Sequence, residues 1–420
     1  MTVSIRILLS ALLIFTTFTF SQNNTTCLEC HDDPEFVIHR GKKTISLNIS
    51  PTLYKASPHS ELLCVDCHVD FDPDEEPHRD VIPPVDCTPC HEEASSPIQH
   101  SRHQPDVSCF SCHGDVHLPQ KTETLKSNCQ NCHEEVVSEL AESVHREGTN
   151  TPTCFQCHIP GSSSFVNNTD ACLNCHGKKE FIHSSPTHRD FQFVLSYRES
   201  IHGENIDCAD CHSGHRILPA DSTSSKKKKK NIAQTCSQCH EQEASQFLIS
   251  EHGKAYLEGF SEAPSCVDCH GEHEIHQITD SRSPVSREHE VEVCLSCHLN
   301  SPEVRQRMTH TSAFVAEYEQ SVHGRAFVSG NKEAAVCSDC HGGHRELKAT
   351  NANSMVNKFN VAITCGKCHD NIEAEFIRSI HGSALFKGVA DAPSCTDCHG
   401  EHHIIEHTRP ESPVAPQNVA

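Results

Sequence analysis

The sequence predicts a mainly α and irregular fold of short helices with little or no sheet. Three observations carry that expectation: a cysteine motif repeated at short intervals, apolar residues at helical spacing between the repeats, and a poor supply of ordinary core residues. The 420 residues include 28 cysteines, four tyrosines and no tryptophan, and only 35% are hydrophobic. Globular chains usually reach roughly 45 to 50%, a figure that also counts glycine. No strand pattern is evident, and a chain of this composition does not build a conventional side-chain core.

The cysteines fall without exception into fourteen CxxCH units. The pairs are Cys27 and Cys30, Cys64 and Cys67, Cys87 and Cys90, Cys109 and Cys112, Cys129 and Cys132, Cys154 and Cys157, Cys172 and Cys175, Cys208 and Cys211, Cys236 and Cys239, Cys266 and Cys269, Cys294 and Cys297, Cys337 and Cys340, Cys365 and Cys368, and Cys395 and Cys398. The adjoining histidines are His31, His68, His91, His113, His133, His158, His176, His212, His240, His270, His298, His341, His369 and His399. CxxCH is the attachment signal for haem c: two thiols bond to the porphyrin's vinyl groups and the adjoining imidazole becomes the proximal iron ligand. Zinc knuckles and disulfides give no reason for a histidine after every second cysteine. A redox-active CxxC normally occurs once, on a βαβ pattern that is not visible here. The sequence therefore predicts fourteen covalent haems and an extended, haem-packed chain in which porphyrin supplies much of the apolar mass.

The first 21 residues read as a secretory signal: Arg6 near the start, an apolar stretch from Leu8 to Phe20, and Thr19 and Ser21 placed for cleavage. A retained anchor is the alternative. Later residues contain no apolar run of spanning length. Export, with the periplasm or cell surface as destination, agrees with haem attachment outside the cytoplasm. The formal charge of -23 stays negative once propionates and iron are counted, which disfavours nucleic acid as a partner. The one basic block is Lys226 to Lys230, normally a solvated loop. It suggests a linker at 221–230 between a region at 22–220 with eight motifs and one at 231–407 with six, followed by a flexible tail at 408–420.

The spacing groups the motifs into seven doublets whose first cysteines are Cys27, Cys87, Cys129, Cys172, Cys236, Cys294 and Cys365. Later doublets repeat Ser-x-His-Gly ahead of the second motif, as in Ser200 to Gly203, Ser321 to Gly324 and Ser379 to Gly382. Between the two motifs the apolar residues have helical spacing: Ile372, Phe376, Ile377 and Ile380 after His369, and Val136, Val137, Leu140 and Val144 after His133. Gly253, Gly324 and Gly382 stand where such a helix would stop. In six doublets a histidine lies twelve residues after the first proximal one: His103, His145, His188, His252, His310 and His381. Twelve helical residues rise about 18 Å, far enough for that histidine to serve another iron.

Of 36 histidines, 22 remain for fourteen sixth positions, while only Met308 and Met355 follow Met1. Bis-histidine ligation with low potentials is expected. One candidate distal set precedes each second motif: His59, His103, His145, His202, His252, His323 and His381. A second follows that motif: His78, His117, His215, His273, His344 and His402. A histidine three residues past a proximal one is poorly placed to fold back on the same iron, so it should reach a neighbour. The third doublet departs from this pattern. His158 is followed by Ile159, Pro160 and Gly161, so the iron on Cys154 and Cys157 is expected to take His183 or His188, or to stay open as the one motivated catalytic position.

Ser-x-His-Gly ahead of CxDCHGxH resembles the doublets of class III cytochrome c relatives, including periplasmic decahaem subunits of porin-cytochrome conduits. The resemblance spans Cys27 to His407 and is strongest from Ser200 onward. It implies a stack of bis-histidine haems that conducts electrons. Three function classes follow. The first is electron transfer from a quinol-linked membrane cytochrome to other multihaem cytochromes, a terminal reductase, an outer-membrane porin conduit or an extracellular acceptor. The second is a reductase of nitrite, hydroxylamine or a sulfur oxyanion with one open haem. The third is a subunit of an extracellular cytochrome filament. No CxxCK signature supports the reductase class.

Overall fold

The computed structural model describes residues 23–69, 83–92, 107–120, 128–146, 152–158, 168–179, 191–308 and 315–419. The leader at 1–21 and His78, His103, His183, His188 and His310 lie outside the described residues. The fold is mainly helical and irregular, and no described helix is long and apolar enough to cross a membrane. The chain forms two compact units, one of residues 1–135 with 153–155 and 159–164, the other of 136–152, 156–158 and 165–420.

Each second motif forms its own short helix, from Cys64–Cys67 to Cys395–His399. The aspartate of CxDCH explains why so short a segment is helical. Its carboxylate accepts from the backbone N–H of the residue before the first cysteine: Asp66 from Leu63 at 2.7 Å, Asp210 from Asp207 at 2.7 Å, Asp268 from Ser265 at 2.7 Å, Asp339 from Val336 at 2.8 Å and Asp397 from Ser394 at 2.7 Å. This is half of a capping box, and it satisfies an amide the first turn would leave unpaired. After the proximal histidine the chain turns left-handed at Gly114, Gly271, Gly342 and Gly400, with φ between 65° and 87°. Glycine adopts that conformation without a Cβ clash. Ser213 stands at the same place with φ 72°, the only described non-glycine residue of positive φ.

The helix between the motifs of a doublet is shorter than the histidine spacing suggests. It covers nine residues at Glu134–Glu142, Glu241–Ile249 and Asp370–Arg378, then stops before a serine. In the fifth, sixth and seventh doublets that serine starts a second helix: Glu251–Leu257, Val322–Val328 and Ile380–Phe386. Its Oγ accepts from the glycine amide three residues on, Ser250 from Gly253 and Ser321 from Gly324 at 3.0 Å, Ser379 from Gly382 at 3.1 Å. These glycines are therefore inside a helix, not at the end of one. They are glycine because a Cβ there would collide with the carbonyl of Phe247, Tyr318 or Phe376 in the preceding helix.

A second departure is a hairpin, strands Val37–Arg40 and Lys43–Ser46, paired Arg40 to Lys43 across a two-residue loop. Gly41, with φ 61°, makes so tight a reversal affordable. The lysine run and the C-terminal tail fold alike. Hydrogen bonds three residues apart join 219, 222, 225, 228 and 231, and again 280, 283, 286 and 289, then 351, 354, 357 and 360, then 409, 412, 415 and 418. Ser225, Ser354 and Ser412 point inward from these turns and donate to the carbonyls of Leu218, Leu347 and Ile405. Lys226 and Lys228 are spent on the carbonyls of Asp210 and Asp221, at 2.8 and 2.9 Å. In the tail Ser412 and Ala415 are fully buried.

Side-chain cores are small. One gathers Ala233, Phe247, Tyr256 and Ala263, another Val291, Leu295 and Val336. The inter-motif helices turn apolar residues outward from protein atoms: Ile372 is 61% exposed and Ile380 82%. An apolar face uncovered by protein is what a bound porphyrin would cover.

Candidate haem sites

Within every doublet the first cysteines of the two motifs touch through sulfur. Hydrogen bonds join Cys27 to Cys64, Cys87 to Cys109, Cys129 to Cys154, Cys172 to Cys208, Cys236 to Cys266, Cys294 to Cys337 and Cys365 to Cys395. Sharing a proton drives one thiol up and its partner down. The hydrogen bonds from Cys172, Cys236 and Cys365 lower Cys208, Cys266 and Cys395 to about 7, making these the sulfurs more readily ionised before attachment. The second motif then lies within electrostatic reach of the next doublet's first: Cys67 of Cys90 and Cys112 of Cys129 in one unit, Cys157 of Cys172, Cys211 of Cys236, Cys269 of Cys294 and Cys340 of Cys365 in the other. In each unit the motifs follow one another in space in the order of the sequence.

Ten proximal histidines face a second imidazole. Five meet the histidine before the previous doublet's second motif: His91 with His59 at 5.9 Å between ring centres, His176 with His145 at 6.0 Å, His240 with His202 at 6.1 Å, His298 with His252 at 5.8 Å and His369 with His323 at 6.2 Å. Five meet the histidine after the next doublet's second motif: His68 with His117 at 6.4 Å, and His158 with His215, His212 with His273, His270 with His344 and His341 with His402, each at 5.8 or 5.9 Å. A metal–imidazole bond of about 2.0 Å and about 1.2 Å from ring nitrogen to ring centre would separate two ligands of one iron by about 6.4 Å. These residues therefore fit a bis-histidine haem.

The two sets differ in orientation. Forward-reaching pairs cross at 37° to 64°, whereas backward-reaching pairs lie within 7° to 29° of parallel. The backbone ties the two reaches together. The amide before a forward-reaching histidine donates to the carbonyl two residues after a backward-reaching one: Val144 to Ile217, Ile201 to Ile275 and Val322 to Ile404 at 2.8 Å, and Glu251 to Glu346 at 2.9 Å.

Burial is the first cause that holds these imidazoles neutral, the form a metal requires. It lowers His212 to about 4, with the charge of His273 adding to it. His68, His270, His298, His323 and His341 are lowered in the same way, by burial first and then by the facing imidazole. The Nδ1 atoms of His31 and His117 meet the Leu47 carbonyl and the Asp115 carboxylate at 2.7 Å, leaving Nε2 for iron.

At the third doublet the geometry offers the Cys154 and Cys157 motif a facing imidazole that the sequence reading did not assign to it, with His158 and His215 at 5.8 Å, while His183 and His188 lie outside the described residues. The physical reason is direction: a histidine after a second motif reaches back one doublet, so its absence from the third doublet bears on the second. His381 faces no imidazole among the described residues, so the seventh doublet does not repeat the forward reach. Sequence reasoning also missed His407, whose charge, after burial, lowers His399. Its signal was weak, since it follows His402 by five residues. Glu290, Cys294 and Cys337 form a cluster able to hold an ion, but its sulfurs belong to two CxxCH motifs and the Glu290 carboxylate accepts from the Ser338 amide and hydroxyl at 2.6 and 2.8 Å.

Paired thiols, each motif's adjoining imidazole and a facing second imidazole define a multihaem c-type cytochrome, and the chain is one. The family model for cytochrome c7 and related cytochrome c matches residues 316–400, and that for cytochrome c3 matches residues 144–241. Among curated proteins, the chain is 24% identical over 222 residues to the multiheme cytochrome MtrA of Shewanella baltica (strain OS185), an alignment covering 48% of this chain and 52% of the relative. The chain thus spans about half the length of the relative it matches. No solved structure matches it.

Proposed function

We propose that the protein carries fourteen covalent haems, predominantly bis-histidine ligated, and relays electrons through them outside the cytoplasm. The observation that carries this reading is the facing of imidazoles from neighbouring doublets, which lines up successive motifs in each unit. A haem supplies reversible one-electron chemistry at low potential when two imidazoles hold its iron. The residues of this chain fix ring orientation, exclude water from the histidines and keep neighbouring motifs close. The proposed route runs from a quinol-linked membrane cytochrome to another multihaem cytochrome, a porin conduit, a terminal reductase or an extracellular acceptor. Likeness to the multiheme cytochrome MtrA supports the general class, and the 1–21 leader supports export.

Two measurements test this. Intact mass of exported protein should give fourteen haems on a chain lacking the leader, and twelve or fewer in mature material would refute full occupancy. Stopped-flow mixing of reduced protein with a soluble oxidant should then oxidise every haem, whereas a fraction left reduced would break the continuous file.

A further inference from the structure

We infer that the iron carried by Cys109, Cys112 and His113 accepts an exogenous ligand, a diatomic molecule or small anion binding through a single donor atom. The inference rests on the haem occupancy proposed above. Its basis is the direction of the backward reach. His68, His158, His212, His270 and His341 each face a histidine that follows the next doublet's second motif. His113 holds the same place in the second doublet, so its partner should come from the third. There the position three residues past the proximal histidine is Gly161, and no histidine occurs between His158 and His183.

The surroundings agree with that reading. His113 is exposed and faces no imidazole among the described residues. Among the described residues of its own doublet, His117 is taken up with His68 at 6.4 Å and with Asp115 at 2.7 Å. The motif is otherwise well held. Gly114 takes the left-handed turn with φ 65°, and the Asn128 amide donates to the Cys112 carbonyl at 2.9 Å. The attachment site is built like the others while the sequence holds Gly161 where the later doublets hold a histidine, and an iron with an open position is what ligand binding requires.

The test is titration of purified holoprotein with carbon monoxide when reduced and cyanide when oxidised, after intact mass has established haem loading. A shortfall in mass would count against occupancy, whereas full loading with no ligand uptake would overturn this inference alone. The wild type should bind carbon monoxide and show a high-spin ferric signal. Gly161→His, which supplies the histidine found at that place in the later doublets, should remove one equivalent of carbon monoxide uptake and the matching high-spin signal; a fully loaded variant with unchanged uptake would overturn the assignment. Cys109→Ser with Cys112→Ser should lose one haem together with the binding, and binding retained would place it elsewhere. Wild type that binds nothing, with uptake appearing only in His183→Ala or His188→Ala, would identify the capping residue and refute the proposal.

Discussion

The first and third doublets and the last three use the same serine in different ways. In the fifth, sixth and seventh, Ser250, Ser321 and Ser379 cap a helix through the amide three residues on. In the first and third, Ser57 and Ser143 accept instead from the histidine amide two residues on, at 3.3 and 3.2 Å, and only turns follow. The histidine reaches its neighbour in either case, His59 to His91 and His145 to His176 as well as His252 to His298. Placement of the ligand is therefore the serine's task, and the helix is an addition to it. This also explains why glycine follows the histidine only where two chain segments crowd together, while Ser60 and Arg146 occupy that place in the first and third doublets.

Substitution of that crowded glycine should separate the regions most. Gly253→Val would drive a branched side chain into the Phe247 carbonyl and should cost about 3 kcal/mol or more. Arg146→Val in the third doublet should stay within about 0.5 kcal/mol. Denaturant midpoints of the holoprotein would measure the difference, and equal costs would break the comparison.

Next come the ligands. His252→Ala should turn the haem of Cys294 and Cys297 high-spin, and His344→Ala that of Cys266 and Cys269, because those are the neighbours they face. His202→Met should raise the potential of the haem beside His240 alone. If instead the haem on the mutated histidine's own motif responds, the exchange between doublets is refuted.

The serines test the shared role directly. Ser250→Ala should cost about 1 kcal/mol, and Ser143→Ala as much despite starting no helix. A cost confined to Ser250 would reduce its role to helix capping.

Smallest are two local effects. Ser213→Gly should gain about 1 kcal/mol by relieving a left-handed non-glycine residue, whereas Val69→Gly should gain nothing, since His68 ends its helix at φ −92°. Low-temperature paramagnetic resonance of the oxidised protein should resolve two families of low-spin signal, because crossed and parallel imidazole planes split the iron d orbitals differently. A single family would mean that the two reaches do not differ in orientation once iron is bound.

The sequence made the repeat legible because covalent chemistry wrote it. The grouping of Cys236 with Cys266 and of Cys365 with Cys395 follows from spacing alone, and in the fold their sulfurs meet. Direction was not legible: nothing in the spacing of His212 and His215 says that His215 reaches back to His158. The helix ending at Ile249 was hidden because Ser250 continues an apolar pattern that a helix break interrupts. The hairpin at Gly41 was hidden because its strands are mostly exposed, which leaves no alternation of apolar residues to read.

The two reaches also set a timetable. On a chain delivered from its N-terminus, His252 has emerged before Cys294 and Cys297, so the iron attached there finds both ligands waiting. The iron on Cys266 and Cys269 must wait for His344, about 74 residues later than His270, or roughly 4 to 15 seconds at a synthesis rate of about 5 to 20 residues per second. On the proposed ligation, the five backward-facing positions among the described residues would pass through a five-coordinate interval that the following doublet ends. Maturation on that scheme would proceed as a wave in which a doublet closes when its successor arrives.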